Sequence, residues 1–201
     1  MMPKRYIPVL LLASLLWIAG CSPLPEVPLD GRTFLYNRAE YNLHPQLEVK
    51  EEATGKAVAE TDSGDAIQTI KGLPQDRWLA IRNGHTNRCS VYTEKSIGEI
   101  SLEEFAPTKM ILLEYTPEEK KLATIRDEGK IGRLVRVMSE QPPAKLPEKL
   151  KPAHVQYIHL TSDKYQPVVY VLRYETYPGG KRYLIGKKVV ELDENFPDIL
   201  Q

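Results

Sequence analysis

The chain has 201 residues, 42% of them apolar, with 27 basic and 27 acidic side chains. It is too charged for a polytopic membrane protein and too apolar to be disordered throughout, and it shows no G-X-Y period or heptad run. The length suits one domain of ordinary size or two small ones.

At the amino terminus, Lys4 and Arg5 form a short basic segment, followed by an uncharged stretch of 15 residues, 6–20. As a helix this stretch would be roughly 22 Å long, short of the ~30 Å hydrocarbon core of a bilayer. A charged start, a short apolar run and small residues before Cys21 predict an export signal over residues 1–20 rather than a retained span. The last four residues, Ile18-Ala19-Gly20-Cys21, resemble the lipobox of bacterial lipoproteins, normally Leu-Ala/Ser-Gly/Ala-Cys, with Ile18 for Leu as the sole departure.

The resemblance implies cleavage before Cys21, a diacylglycerol on the Cys21 sulfur and often a further acyl group, such as palmitate, on the new amino terminus. Two or more chains anchor a protein stably where one does so only marginally. The implied location is the extracytoplasmic face of a cell membrane or outer membrane. Ser22 stands where Asp commonly retains Gram-negative lipoproteins at the inner membrane, which would favour the outer membrane there and has no meaning in a Gram-positive cell. An acylated Cys21 leaves Cys89 without a disulfide partner; an unmodified one would permit a Cys21–Cys89 bridge. Loss of Lys4 and Arg5 leaves a formal charge of −2, too small for any long-range charge argument.

Residues 21–30 contain Pro23, Pro25 and Pro28. Proline favours extended polyproline II, so residues 22–30 of this segment read as a tether reaching roughly 28 Å; the alternative is packing on the domain surface. From residue 31 to 201 the pattern is globular, with a subdivision conceivable near 116–127. Residues 33–36 and 47–51 read as short strands. Residues 63–71 read as a helix: Ser63 can cap, Ala66, Ile67 and Ile70 share a face, and Gly72 and Pro74 end it. Residues 77–83 and 89–95 read as strands around an Asn83-Gly84 loop, 109–115 as a buried strand, and 121–126 as a further strand after a polar turn.

Asp127 opens the clearest helix, 127–139. Ile131, Leu134, Val135 and Met138 fall at i, i+3, i+4 and i+7, and Pro142 and Pro143 stop it. Residues 141–152 hold four prolines and read as a loop. Residues 155–160, 168–174 and 181–185 read as strands, with a hairpin turn at Tyr177-Pro178-Gly179-Gly180; residues 193–200 finish as a short helix or an irregular tail. Helices set apart from antiparallel hairpins predict an α+β fold with mostly antiparallel sheet and two main helices. A helix followed by three strands occurs twice in this reading, compatible with a duplicated α-plus-three-strand unit or with coincidence.

Motifs for nucleophiles, phosphate cradles and metal sites are missing: no G-x-S-x-G, S-x-x-K, H-E-x-x-H, P-loop, G-x-G-x-x-G or C-x-x-C occurs. His154 and His159 lie an odd number of positions apart on one strand, so they point to opposite faces and cannot share a metal without a bulge. They read as solvent-exposed or core-satisfied. His85 and Cys89 flank a loop, but a lone Cys in a strand is usually a small buried apolar group. The reading therefore carries no metal, no cofactor and no catalytic residue.

The densest charge cluster is carboxyl-terminal. Lys164, Arg173, Lys181, Arg182, Lys187 and Lys188 stand against Glu175 alone in residues 164–190, interleaved with five tyrosines. Basic and aromatic groups together suggest nucleic acid in a cytoplasmic protein. Export argues against that partner and leaves an anionic wall polymer, an anionic lipid surface or an envelope protein, with Arg173, Lys181, Arg182, Lys187 and Lys188 as the candidate contacts. The plainer reading is that tyrosines prefer strands and lysines protect edges. On 168–174, Val168, Tyr170, Leu172 and Tyr174 share one face and Val169, Val171 and Arg173 the other, as expected of a central strand. The functional expectation is a lipid-anchored envelope protein acting as a non-catalytic binding or assembly module. The alternative is an envelope hydrolase with catalytic residues scattered along the chain, which a deep pocket holding a perturbed histidine or carboxylate would favour.

Overall fold

The computed structural model describes residues 23–84, 86–115, 119–193 and 196–200. The fold is α+β and mostly antiparallel. Its strands are β1 (Glu26–Val27), β2 (Thr33–Tyr36), β3 (Ala39–Lys50), β4 (Thr54–Thr61), β5 (Ala66–Ile70), β6 (Trp78–Arg82), β7 (Arg88–Glu94), β8 (Lys109–Tyr115), β9 (Glu119–Ile125), β10 (His154–Thr161), β11 (Val169–Thr176), β12 (Arg182–Ile185) and β13 (Val189–Glu191). Among the described residues two α-helices accompany them, α1 (Leu102–Phe105) and α2 (Glu128–Glu140). The strands form one sheet in the order β1-β4-β5-β6-β7-β3-β11-β10-β8-β9, with β2 added to β3 and the β12-β13 hairpin added to β11.

Alternation along the strands sends side chains into two cores. The larger gathers Val49, Val91, Met110, Leu112, Ile158, Leu160, Leu172 and Leu184 from the sheet with Phe105 of α1 and Ile131, Leu134 and Met138 of α2. The smaller lies on the opposite face of the amino-terminal half, around Phe34, Tyr41, Ile67, Leu79, Ile81 and Tyr92. Strands between the two cores bury both faces, which is why β6 reads as an unbroken apolar run. Helix α2 forms as its spacing predicts. Asp127 caps it by accepting from the Lys130 backbone N–H at 2.9 Å, and Ile131, Leu134 and Met138 are its buried stripe.

Residues 63–71 are not a helix. Ser63, Gly64 and Asp65 belong to a turn in which the Thr61 N–H donates to the Asp65 carbonyl at 2.8 Å, and residues 66–70 form β5. Gly64 takes a φ of +86°, which an L side chain resists. Ile67 then faces the smaller core and Ile70 the larger, so a pattern of apolar residues that fits one helical face is a strand buried on both sides. The second helix is instead the single turn α1, closed by a Ser101–Glu104 capping box. With no helix ahead of β5–β7, the repeated helix-then-three-strands order does not hold.

The proline-rich segment is also shorter as a tether than its composition suggests. β1 pairs in parallel with β4, Glu26 opposite Glu60 and Val27 opposite Thr61, and the Glu60 N–H donates to the Pro25 carbonyl at 3.0 Å. Val27 is buried in the smaller core. Burying that side chain is worth about 1.5–3 kcal/mol, enough to hold an otherwise polyproline-like strand on the domain.

Candidate functional site

A buried arginine bridges two strands that lie far apart in the sheet. Arg88 starts β7, and Glu119 starts β9, five strand steps away along the sheet. At ~4.8 Å per step a flat sheet would hold these strands about 24 Å apart. Yet the Arg88 guanidinium forms a close ion pair with Glu119, and its Nε donates to the Tyr115 hydroxyl at 3.1 Å. The sheet is therefore rolled around the face that carries Lys50 and Glu48 of β3, Ile111 and Leu113 of β8, His159 of β10 and Val169 and Val171 of β11.

Arg88 spans the resulting trough. It is buried, and Glu48 sits 3.7 Å from its Nε as a second carboxylate partner. On one side lies a lobe of about 340 Å³, lined by Lys50, Ala53, Ile111, Leu113, Lys121, Pro167 and Val169. On the other lies a lobe of about 230 Å³ with Asn83, Asn87, Tyr115, Tyr157 and Val171. Arg88 and His159 line both lobes. Register explains the convergence: His159 lies opposite Ile111 on one side and Val171 on the other, and Arg88 lies opposite Lys50.

His159 is the unusual group. The residue is 4% exposed, and Nε2 is buried with no hydrogen-bond partner among the described residues. Burial, reinforced by the Arg88 and Lys50 charges and opposed by Glu119, pushes its pKa down to about 3. The ring is therefore neutral near pH 7 and keeps one uncommitted donor or acceptor buried in the trough wall. Burial raises the pKa of Glu48 above the ordinary carboxylate range despite Arg88. Burial also pushes Glu119 upward, but the hydrogen bond and charge of Arg88 overcome it and leave Glu119 below that range. Burial raises the Tyr115 hydroxyl to about 12, so it stays protonated and donates to Glu119 at 3.3 Å.

No known family, characterised protein or solved structure matches this chain. The site therefore stands on its own geometry. Cys21 and its lipobox lie outside the described residues, as does His85. Among the described residues no helix is long and apolar enough to cross a membrane. Cys89 is wholly buried on the larger-core face and its thiol is pushed up to about 11 by burial, so it behaves as a small apolar group. His154 and His159 do occupy β10 with His154 exposed and His159 buried, but His159 is not satisfied by its surroundings as expected from sequence. His44 is buried and bonded through Nε2 to Thr93 Oγ1 at 2.8 Å.

The five basic residues singled out in the sequence do not converge on one surface. Arg173 alternates onto the trough side of β11, where it pairs with Glu175 at 2.8 Å, and Lys181, just ahead of β12, pairs with Glu191 at 3.2 Å. Arg182 shares the parity of Leu184, which enters the larger core. Lys187 pairs with Glu99 at 2.7 Å, and Lys188 donates to the Ser139 carbonyl at 2.9 Å at the end of α2. Tyr170 and Tyr174 are core residues of the central strand β11. Sequence reading passed over Arg88, Glu48 and Glu119 and took His159 as exposed or satisfied in the core; Glu48 and His159 stand between apolar neighbours, whereas Arg88 and Glu119 carry no local signal.

Proposed function

We propose that this protein is a lipid-anchored component of the bacterial cell envelope, held by an acylated Cys21 on the extracytoplasmic face. Its folded domain acts as a non-catalytic binding module, with the rolled-sheet trough as the binding site. One observation carries the binding reading: a buried, neutral imidazole, His159, lines two lobes of open space on either side of the Arg88 latch. The combined lobes fall within the usual range of small-ligand sites, about 300–1,000 Å³.

The perturbed histidine also fits an envelope hydrolase, the competing reading. A base with a pKa of about 3 has little driving force for proton abstraction near pH 7. A Tyr115 hydroxyl at about 12 and a Cys89 thiol on the far face of the sheet make poor nucleophiles. Binding is therefore the better-supported function.

Two measurements test the two parts. Mass spectrometry of the amino-terminal peptide should find Cys21 as the first residue with added acyl mass; a peptide beginning at Met1 or Met2 without that mass refutes the anchor. Native mass spectrometry of protein extracted from its own membranes should find a bound small molecule that is lost in Ile111→Trp, which fills the trough. The same adduct in both proteins, or none in either, refutes the binding site.

A further inference from the structure

We propose that the larger lobe binds an anionic amphiphile, a short alkyl chain ending in a carboxylate or phosphate, with its head on Lys50 and Lys121, beside the His159 ring. The inference rests on the trough being a binding site and names what it takes. The lobe is two-sided in its chemistry. Ile111, Leu113, Pro167 and Val169 give it an aliphatic wall, and the charged groups sit around that wall.

Those charges are not equally available. Arg88 and Glu119 are committed to each other. Lys50 and Lys121 are exposed and have no ion-pair partner within 4 Å among the described residues, while Glu52 is the one other carboxylate of the lobe. Two free ammonium groups against one free carboxylate leave the lobe positive. Of the charged groups that act on the imidazole, Arg88 and Lys50 are cations and Glu119 alone is an anion, so the field at Nε2 favours an anion as well. A ligand with only a head would leave the aliphatic wall wet, and one with only a chain would leave both lysines unanswered.

The test is an NMR titration of the full chain carrying Cys21→Ser and ¹⁵N-labelled histidine, with the His159 signal identified by its loss in His159→Gln. Octanoate and octyl phosphate are the amphiphile probes; acetate, inorganic phosphate and octanol are the separated head and chain. The expected result is a saturable movement of the His159 Nε2 signal with octanoate, octyl phosphate or both, below their micelle concentrations. Whichever amphiphile binds more tightly identifies a carboxylate or a phosphate source. The separated probes should bind at least about tenfold more weakly, and Lys50→Gln/Lys121→Gln, both at exposed positions, should weaken the amphiphile by about tenfold. No saturable shift with either amphiphile overturns the proposal, as does equal binding of octanol or an unchanged affinity in the double lysine variant. If these fail while the native adduct still depends on Ile111, the ligand class is wrong and the binding site stands; if both fail, the site itself falls.

Discussion

Arg88 carries the closure of the trough, and its removal has a calculable consequence. Arg88→Met keeps much of the stem but leaves Glu48 and Glu119 without their common cation. Breaking a buried pair in this way costs about 3–5 kcal/mol; the partial exposure of both carboxylates lowers the expected loss to about 2–3 kcal/mol. Urea unfolding should show it as a lower midpoint, and a midpoint within experimental error of the parent would mean the latch is decorative. Arg88→Lys should recover little, because an ammonium cannot serve Tyr115 and Glu119 with the geometry of a guanidinium.

His159 makes a second claim at the same scale. Its folded pKa is about 3, against about 6.5 when unfolded. Between those values the unfolded chain binds a proton that the folded chain refuses, so stability falls as pH falls. The slope is at most about 1.4 kcal/mol per pH unit. Glu119, also depressed, works in the same direction lower in pH, and Glu48, raised, works against both. From pH 7 to 5 the histidine dominates the difference between the parent and His159→Gln. The parent should lose about 1–2 kcal/mol more than the variant over that window. Parallel stability curves for the two proteins would show that the imidazole is not held neutral by the fold.

At the level of elements, the cap of α2 is a clean target. Asp127→Ala removes the acceptor for the Lys130 N–H and should cost about 1 kcal/mol, visible as a small fall in Tm without loss of sheet signal. A change below about 0.3 kcal/mol would mean that packing alone starts this helix. Asp127 was readable in the sequence because capping and the 3.6-residue spacing are local. So was β8, whose apolar run has the length of a strand and polar ends. β5 was misread because Ala66, Ile67 and Ile70 satisfy a helical face and a doubly buried strand alike; the deciding fact is a second core on the far side, built from Phe34, Tyr41 and Tyr92. β3 was found only in part because its pairing with β7 slips between His44 and Glu48. The trough was least legible. Arg88 and Glu119 lie 31 positions apart, and only the roll of the sheet brings them together.

For the molecule as a whole, the docking of β1 sets how far the domain stands from its proposed anchor. With residues 26 and 27 paired to β4, only residues 22–25 remain as spacer, roughly 12 Å at ~3.1 Å per residue rather than the ~28 Å of residues 22–30 that the prolines suggest. The docked strand is two residues long and depends on Val27 in the smaller core. Val27→Ser removes most of about 1.5–3 kcal/mol of burial, which raises the undocked population by about tenfold or more. Proteolysis under these conditions tracks the population of the open state. A glutamate-specific protease should therefore cut after Glu26 at least about tenfold faster in Val27→Ser than in the parent. The product to follow by mass is the domain beginning at residue 27, which keeps its remaining sheet because β4 still pairs with β5. Equal cutting rates in the two proteins would mean that β1 is already undocked in solution and that the spacer has its full length.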